Sequence, residues 1–509
     1  MDALGHRRRW LVASCVVAVL AWVRVARSVE EHVSALSGVP ISSSLEPIDK
    51  WPPAKPLLTT GEHARPLLFS SLRSAEAVAS LPCLRTWLNI SHLSRRDVSV
   101  MAWTQPQHAA GERAEFTLAR GREAEFAASK RVGKRDLTLA EFWKIAADKA
   151  SDELVYHSSP VSSWGDASLT AEADGALAAM SIHDSPSDIS DDSWPLPSGP
   201  IAWMGSAGVV ATAHYDKSLN VVLQVLGTKR WLLWPPEQLD VPPLLMHPSG
   251  HPSRRQVRTQ ILEAAAASHT DRSTDSLARR FARSPAVAAT LSPGQLLYVP
   301  PYWTHAVESL TPALSLSVLS PSWSEAAGAR IAWPALPFGR IPDGAAGRKA
   351  RVAGVALYLR ALLPDLWPYM DTASSIGTDV GSASAAVVAL ASHAYEARHA
   401  ELHPTVAEEI EAEADEEDWR SMGCTALREA AWPADGGALP THGELTAAVD
   451  QVVRHAARGE ERADGGPRRL APAVVRTLMS DYVEQLAGWA VGDALVSELL
   501  RVWSRCTVP

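Results

Sequence analysis

From Ile201 to Ser320 the chain is a succession of short apolar segments, IAWMG, NVVLQVLG, KRWLLWPP, QLLYVPP and ALSLSVLS, each cut off by glycine or proline. Segments this short, rich in Val, Leu and Trp, read as strands. Turns fall at Gly205, Gly227, Pro235-Pro236 and Pro293-Gly294. Many short strands with such punctuation leave a barrel or jelly roll as the economical architecture. Residues 238–290 interrupt the series as an insert, with a helical stretch around Gln260 to Ala267.

The flanks have a different texture. Leu137 to Ala150 carries apolar residues at helical spacing after Thr138 and predicts a helix. Residues 29–65, rich in Pro, Ser and Gly, read as an irregular lead-in, and 184–200 as a polar loop. Beyond about Arg348 the sequence turns Ala- and Leu-rich with apolar faces, which predicts an all-α region over 345–509. The expected fold class is a mainly β domain over 66–325, with flanking helices and an all-α C-terminal region. The acidic block Glu408 to Asp418 reads as a solvated face rather than a binding tail.

Length and charge narrow the function classes. A chain of 509 residues is long for one domain, and its 46% hydrophobic content allows a sizeable core. A net charge of −9 offers nucleic acid no general attraction, so none is expected as a partner. Cys15, Cys83, Cys424 and Cys506 form no CxxC pair and suggest no disulfide framework. At the N-terminus, His6-Arg7-Arg8-Arg9 precedes an apolar run from Trp10 to Val23. This pattern fits a signal peptide over 1–28, cleaved before Val29, and predicts the secretory pathway. A signal anchor, with 10–23 left in the membrane, and an organellar transit peptide are the other readings.

The chemistry concentrates in HYDKSLNVVLQVLGTKRWLLWPP and VPPYWTHAVESL. On a strand, His214 and Asp216 point to one face. With His305 from another strand-like run they give two imidazoles and one carboxylate, a set that suits Fe(II) with positions left open. His-x-Asp alone is weak: His269-Thr270-Asp271 and His442-Gly443-Glu444 share the pattern in polar or helix-like surroundings. Lys229 separates the first from these decoys. Alternation puts Lys229 and Arg230 on opposite faces, and an inward ammonium among Val, Leu and Trp requires an anionic partner. The bland alternative is a solvent-facing Lys229.

The segment IAWMGSAGVVATAHYDKSLNVVLQVLGTKRWLLWPPEQL, followed by LSPGQLLYVPPYWTHAVESL, resembles the JmjC domain. Within it the pattern is similar to the small hydroxylase-type proteins, the group that includes the asparaginyl hydroxylase acting on hypoxia-inducible factor. The resemblance implies a double-stranded β-helix of the cupin type. It implies a dioxygenase with Fe(II) on His214, Asp216 and His305, and 2-oxoglutarate and O2 as co-substrates. It implies that Lys229 binds the distal carboxylate of 2-oxoglutarate, helped by Tyr156 and Asn220. One position departs from the pattern. Where the family has Thr or Ser, three residues before the first ligand, this chain has Ala211, and Thr212 is the neighbouring hydroxyl that would have to substitute.

A protein side chain is the expected substrate, with RNA or methyl-lysine as alternatives and a catalytically silent cupin-like binding module as the reading from another class. The C-terminal helices are expected to pair two copies of the chain or to present substrate.

Overall fold

Alternation along single strands decides where each sheet faces. In β9 (Leu219–Leu226), Val221, Leu223 and Val225 enter one apolar core, while Asn220 and Val222 line a cleft on the opposite face. In β10 (Lys229–Trp234), Leu232 and Trp234 enter a second outer core, while Lys229 and Trp231 face the same cleft. Two sheets that each bury both faces must stack on one another and be covered outside.

A computed structural model of the chain has this architecture. It describes residues 39, 41–46, 65–70, 83, 86–87, 89–106, 114–116, 133–180, 198–238, 254–257, 284–332, 338–341, 344–370, 382–399, 417–428, 441–454, 460–461, 467–468 and 470–508. The central strands are β7 (Ile201–Gly205), β8 (Val209–His214), β9, β10, β11 (Ala286–Leu291), β12 (Leu296–Val299), β13 (Thr304–Ser309) and β14 (Ala313–Ser320). Four of them run β11-β10-β13-β8 in one sheet and four run β12-β9-β14-β7 in the other, all antiparallel. This is the jelly roll that the segment pattern predicts.

Earlier strands extend both sheets. β1 (Ile41–Ser44) and β4 (Ala114–Phe116) add parallel edges to the first. β2 (Leu67–Phe69), β3 (Ser99–Pro106), β5 (Gly133–Thr138) and β6 (Glu153–Pro160) extend the second. β1 corrects the reading of 29–65 as wholly irregular: ISSS is exposed throughout, so no apolar alternation announced it.

Helices cover the outer faces. α1 (Ile90–Ser94), α2 (Leu139–Ala147) and α3 (Ala167–Met180) pack on the second sheet. α2 starts at a capping box in which Thr138 and Glu141 satisfy each other's backbone N–H groups, as its sequence suggests. The first sheet is covered by the C-terminal helices α4 (Trp323–Ala332), α5 (Gly344–Leu366), α6 (Ala383–Ala394), α7 (Glu417–Arg428), α8 (His442–Val453), α9 (Pro472–Val491) and α10 (Val496–Ser504). One continuous core joins Val210, Tyr215, Trp234 and Tyr302 of the barrel to Leu359 of α5, Leu478 of α9 and Trp503 of α10. Between α9 and α10 the chain turns at Gly492, whose φ of 90° suits glycine and divides what reads in sequence as one helical run.

Two further readings are affected. Cys424 of α7 forms a disulfide with Cys506, which corrects the expectation of no disulfide. Packing of α7 against α10 sets this pairing, and the 82-residue separation carries no spacing signal. The N-terminal run, the helical stretch of the insert and the decoy His269-Asp271 lie outside the described residues. Among those described, no helix is long and apolar enough to cross a membrane.

Candidate metal centre

β8 ends at His214 and lies beside β13, which carries His305. The two histidines are register partners, and so are Ala211 and Val307. Three residues therefore span on β8 what two span on β13, a β-bulge. The bulge brings both Ala211 and His214 to the inner face, where a regular strand would send them to opposite sides. Asp216 follows just beyond β8, and its carbonyl accepts the backbone N–H of Tyr302 (2.8 Å).

One ligand-type atom from each of His214, Asp216 and His305 lies within 4.8 Å of the others. The imidazoles are 4.4 Å apart between centroids, and His305 Nε2 is 3.9 Å from Asp216 Oδ2. His214 Nδ1 is held by the carbonyl of Thr212 (2.8 Å), and His305 Nδ1 by that of Trp303 (3.0 Å). A carbonyl accepts only, so each Nδ1 carries a proton, and in the neutral ring this tautomer leaves Nε2 with the lone pair. Burial, and then the neighbouring His214, lower the pKa of His305 to about 4, so it is neutral near pH 7. Asn220 Nδ2 donates to Asp216 Oδ2 (3.3 Å) and orients the carboxylate. Two imidazoles and one carboxylate fit the facial donor set of non-haem Fe(II).

The same cleft continues to Lys229, and Tyr156, Trp203, Trp231, Val222, Ser315 and Ser317 also line it. Lys229 is buried, with Arg230 on the opposite face of β10. Its Nζ donates to Ser315 Oγ (2.7 Å) and to the Trp203 carbonyl (3.0 Å). Burial lowers its pKa to about 7. At the turn before it, Gly227 has φ 69°, and a Cβ there would overlap the Pro312 carbonyl. Tyr156 is buried on β6, and burial raises its pKa, so the phenol is neutral.

The cleft thus brings together His214, Asp216, His305, Lys229, Tyr156 and Asn220. Thr212 is the exception: Ala211 lines the cleft, whereas Thr212 lies within the bulge and offers its carbonyl to His214. Thr212 is thus not among the residues that line the cleft, and the hydroxyl that meets Lys229 there is that of Ser315. The decoy His442-Gly443-Glu444 opens α8, where Glu444 accepts the Thr441 backbone N–H (2.7 Å) as part of a cap. Sequence reasoning passed over Ser315 and Ser317, although ALSLSVLS places serine at alternate positions opposite a leucine face.

Fold and donor set define the class: the chain belongs to the cupin-like domain family, whose profile matches residues 63–324. Among curated proteins it is similar to human HSPB1-associated protein 1, 37% identical over 126 residues, which are 24% of this chain and 23% of that one. It is 36% identical over 116 residues to Jumonji C domain-containing protein 5 of Drosophila melanogaster (23% of this chain, 26% of that one). It is 29% identical over 116 residues to lysine-specific demethylase JMJ30 of Arabidopsis thaliana (23% and 24%). The matches span about a quarter of these relatives' lengths. They support a JmjC-type cupin-like domain; the finer likeness to the asparaginyl hydroxylase of hypoxia-inducible factor is not what they show.

Proposed function

We propose that this chain is an Fe(II)- and 2-oxoglutarate-dependent dioxygenase that hydroxylates a side chain of a protein substrate. The observation that carries this reading is a single cleft containing both a two-His, one-carboxylate donor set and a buried lysine that meets no carboxylate among the described residues. In the overall reaction a substrate C–H becomes C–OH, and 2-oxoglutarate and O2 become succinate and CO2. Iron on His214, Asp216 and His305 would supply the oxygen-activating redox chemistry. The protein's own part is positioning. The Thr212 and Trp303 carbonyls fix both imidazole tautomers. The Lys229 ammonium and the Ser315 hydroxyl receive the distal carboxylate of 2-oxoglutarate, which supplies the countercharge that a buried lysine needs. Tyr156, Trp203 and Trp231 exclude water from the cleft. The Cys424–Cys506 disulfide supports residence in an oxidising compartment.

Anaerobic titration with Fe(II) and then 2-oxoglutarate tests the reading. A visible charge-transfer band is expected, absent in His214→Ala and weakened in Lys229→Ala, with succinate formed once oxygen is admitted. A folded protein that binds neither metal nor 2-oxoglutarate would instead be a silent cupin-like binding module.

A further inference from the structure

We infer that the C-terminal helices hold the metal ligands in register through two stacked tyrosines, Tyr215 and Tyr302, which act as positioning residues; this rests on the metal-site reading above.

Tyr215 lies between His214 and Asp216 and belongs to the core on the outer face of the sheet, whereas its two neighbours serve the cleft. Tyr302 lies three residues before His305. Its backbone N–H donates to the Asp216 carbonyl, so the two ligand-bearing segments are bonded to each other at this residue. The next residue, Trp303, gives its carbonyl to His305 Nδ1. Among the described residues Tyr302 is the one non-glycine with positive φ (63°). A bulky side chain avoids this conformation unless its surroundings enforce it.

Those surroundings are helical. The rings of Tyr215 and Tyr302 stack at 5.5 Å with 23° between planes, and both are fully buried. They share one apolar core with α4, α5 and α9. Gly328 of α4 sits against Tyr302: a Cβ there would lie 2.9 Å from Leu478 of α9 and 3.5 Å from the Tyr302 hydroxyl. The sheet therefore carries the ligands on one face, and the other face passes their backbone positions to the helical layer. Interiors this closely packed transmit a displacement rather than absorb it.

Co(II), whose visible ligand-field bands report coordination geometry, tests the idea in the full chain. Tyr302→Phe keeps the stack and should bind Co(II) like wild type. Tyr302→Leu removes the stack and should weaken Co(II) binding at least tenfold, with a changed ligand-field spectrum. Gly328→Val, which touches no ligand, should move both in the same direction by displacing Tyr302 and Leu478. Circular dichroism melts fix a temperature at which each variant is folded. If Tyr302→Leu does not fold, Gly328→Val against Gly328→Ala decides by the same two readouts. Variants that melt earlier yet keep the wild-type affinity and spectrum would overturn the inference and leave the helices as a passive cover. A wild-type chain that binds no Co(II) would instead remove the metal-site reading itself.

Discussion

Lys229 is the residue whose chemistry is most exposed to test. Its pKa of about 7 arises from burial, and a bound carboxylate would return it toward the ordinary lysine range. Below about pH 7 the ammonium is already charged, so 2-oxoglutarate affinity should be flat. Above that, binding must take up a proton, and affinity should fall toward tenfold per pH unit. Calorimetric titration across pH 6–9 checks the slope, which Lys229→Met should abolish. Ser315 offers a second test. Ser315→Ala should weaken 2-oxoglutarate binding about 10–100-fold, the effect of ~1.5–3 kcal/mol for a hydrogen bond to a charged group. Ala211→Ser, which restores a hydroxyl on the opposite wall, should recover part of the loss. An unchanged dissociation constant in Ser315→Ala would show that the cleft binds the anion through Lys229 alone. Much of this was legible in sequence: the i, i+2 spacing of His214 and Asp216 and the parity of Lys229 with Arg230 are properties of any strand. That Ala211 faces the cleft and Thr212 does not was not legible, because the bulge shifts parity and leaves no mark on composition.

Among the elements, strands and long helices announced themselves by periodicity, while features set by tertiary contact did not. β1 has no apolar face, and α8 opens with a segment, His442-Gly443-Glu444, that resembles a ligand motif but belongs to a helix cap. The disulfide between α7 and the residue two past α10 depends on which helices meet in space. Closing a loop of 82 residues removes conformational freedom from the unfolded chain worth about 4.5 kcal/mol in the chain-entropy treatment. Cys506→Ser should therefore lower the urea midpoint substantially, and a reducing agent should do the same to wild type while leaving the variant unchanged. Equal midpoints with and without reductant would mean that the helices hold α7 in place unaided.

For the molecule as a whole, the family boundary and the folding unit do not coincide. The family match stops at residue 324, yet the outer face of the first sheet, including Val210, Tyr215, Trp234 and Tyr302, is buried by helices beyond it. A fragment of residues 63–324 should bind a hydrophobic dye and sediment as aggregates, whereas the full chain should do neither. A monodisperse, dye-silent fragment would show that the barrel tolerates a bare face. The same arrangement sets a schedule during synthesis. The last barrel strand ends at Ser320, but α9, which covers that face, is complete only at Val491. At ~5–20 residues per second the ribosome needs roughly ten to thirty seconds to bridge that interval. For that time the nascent barrel carries an apolar wall that α9 does not yet cover, a surface of the kind that chaperones bind.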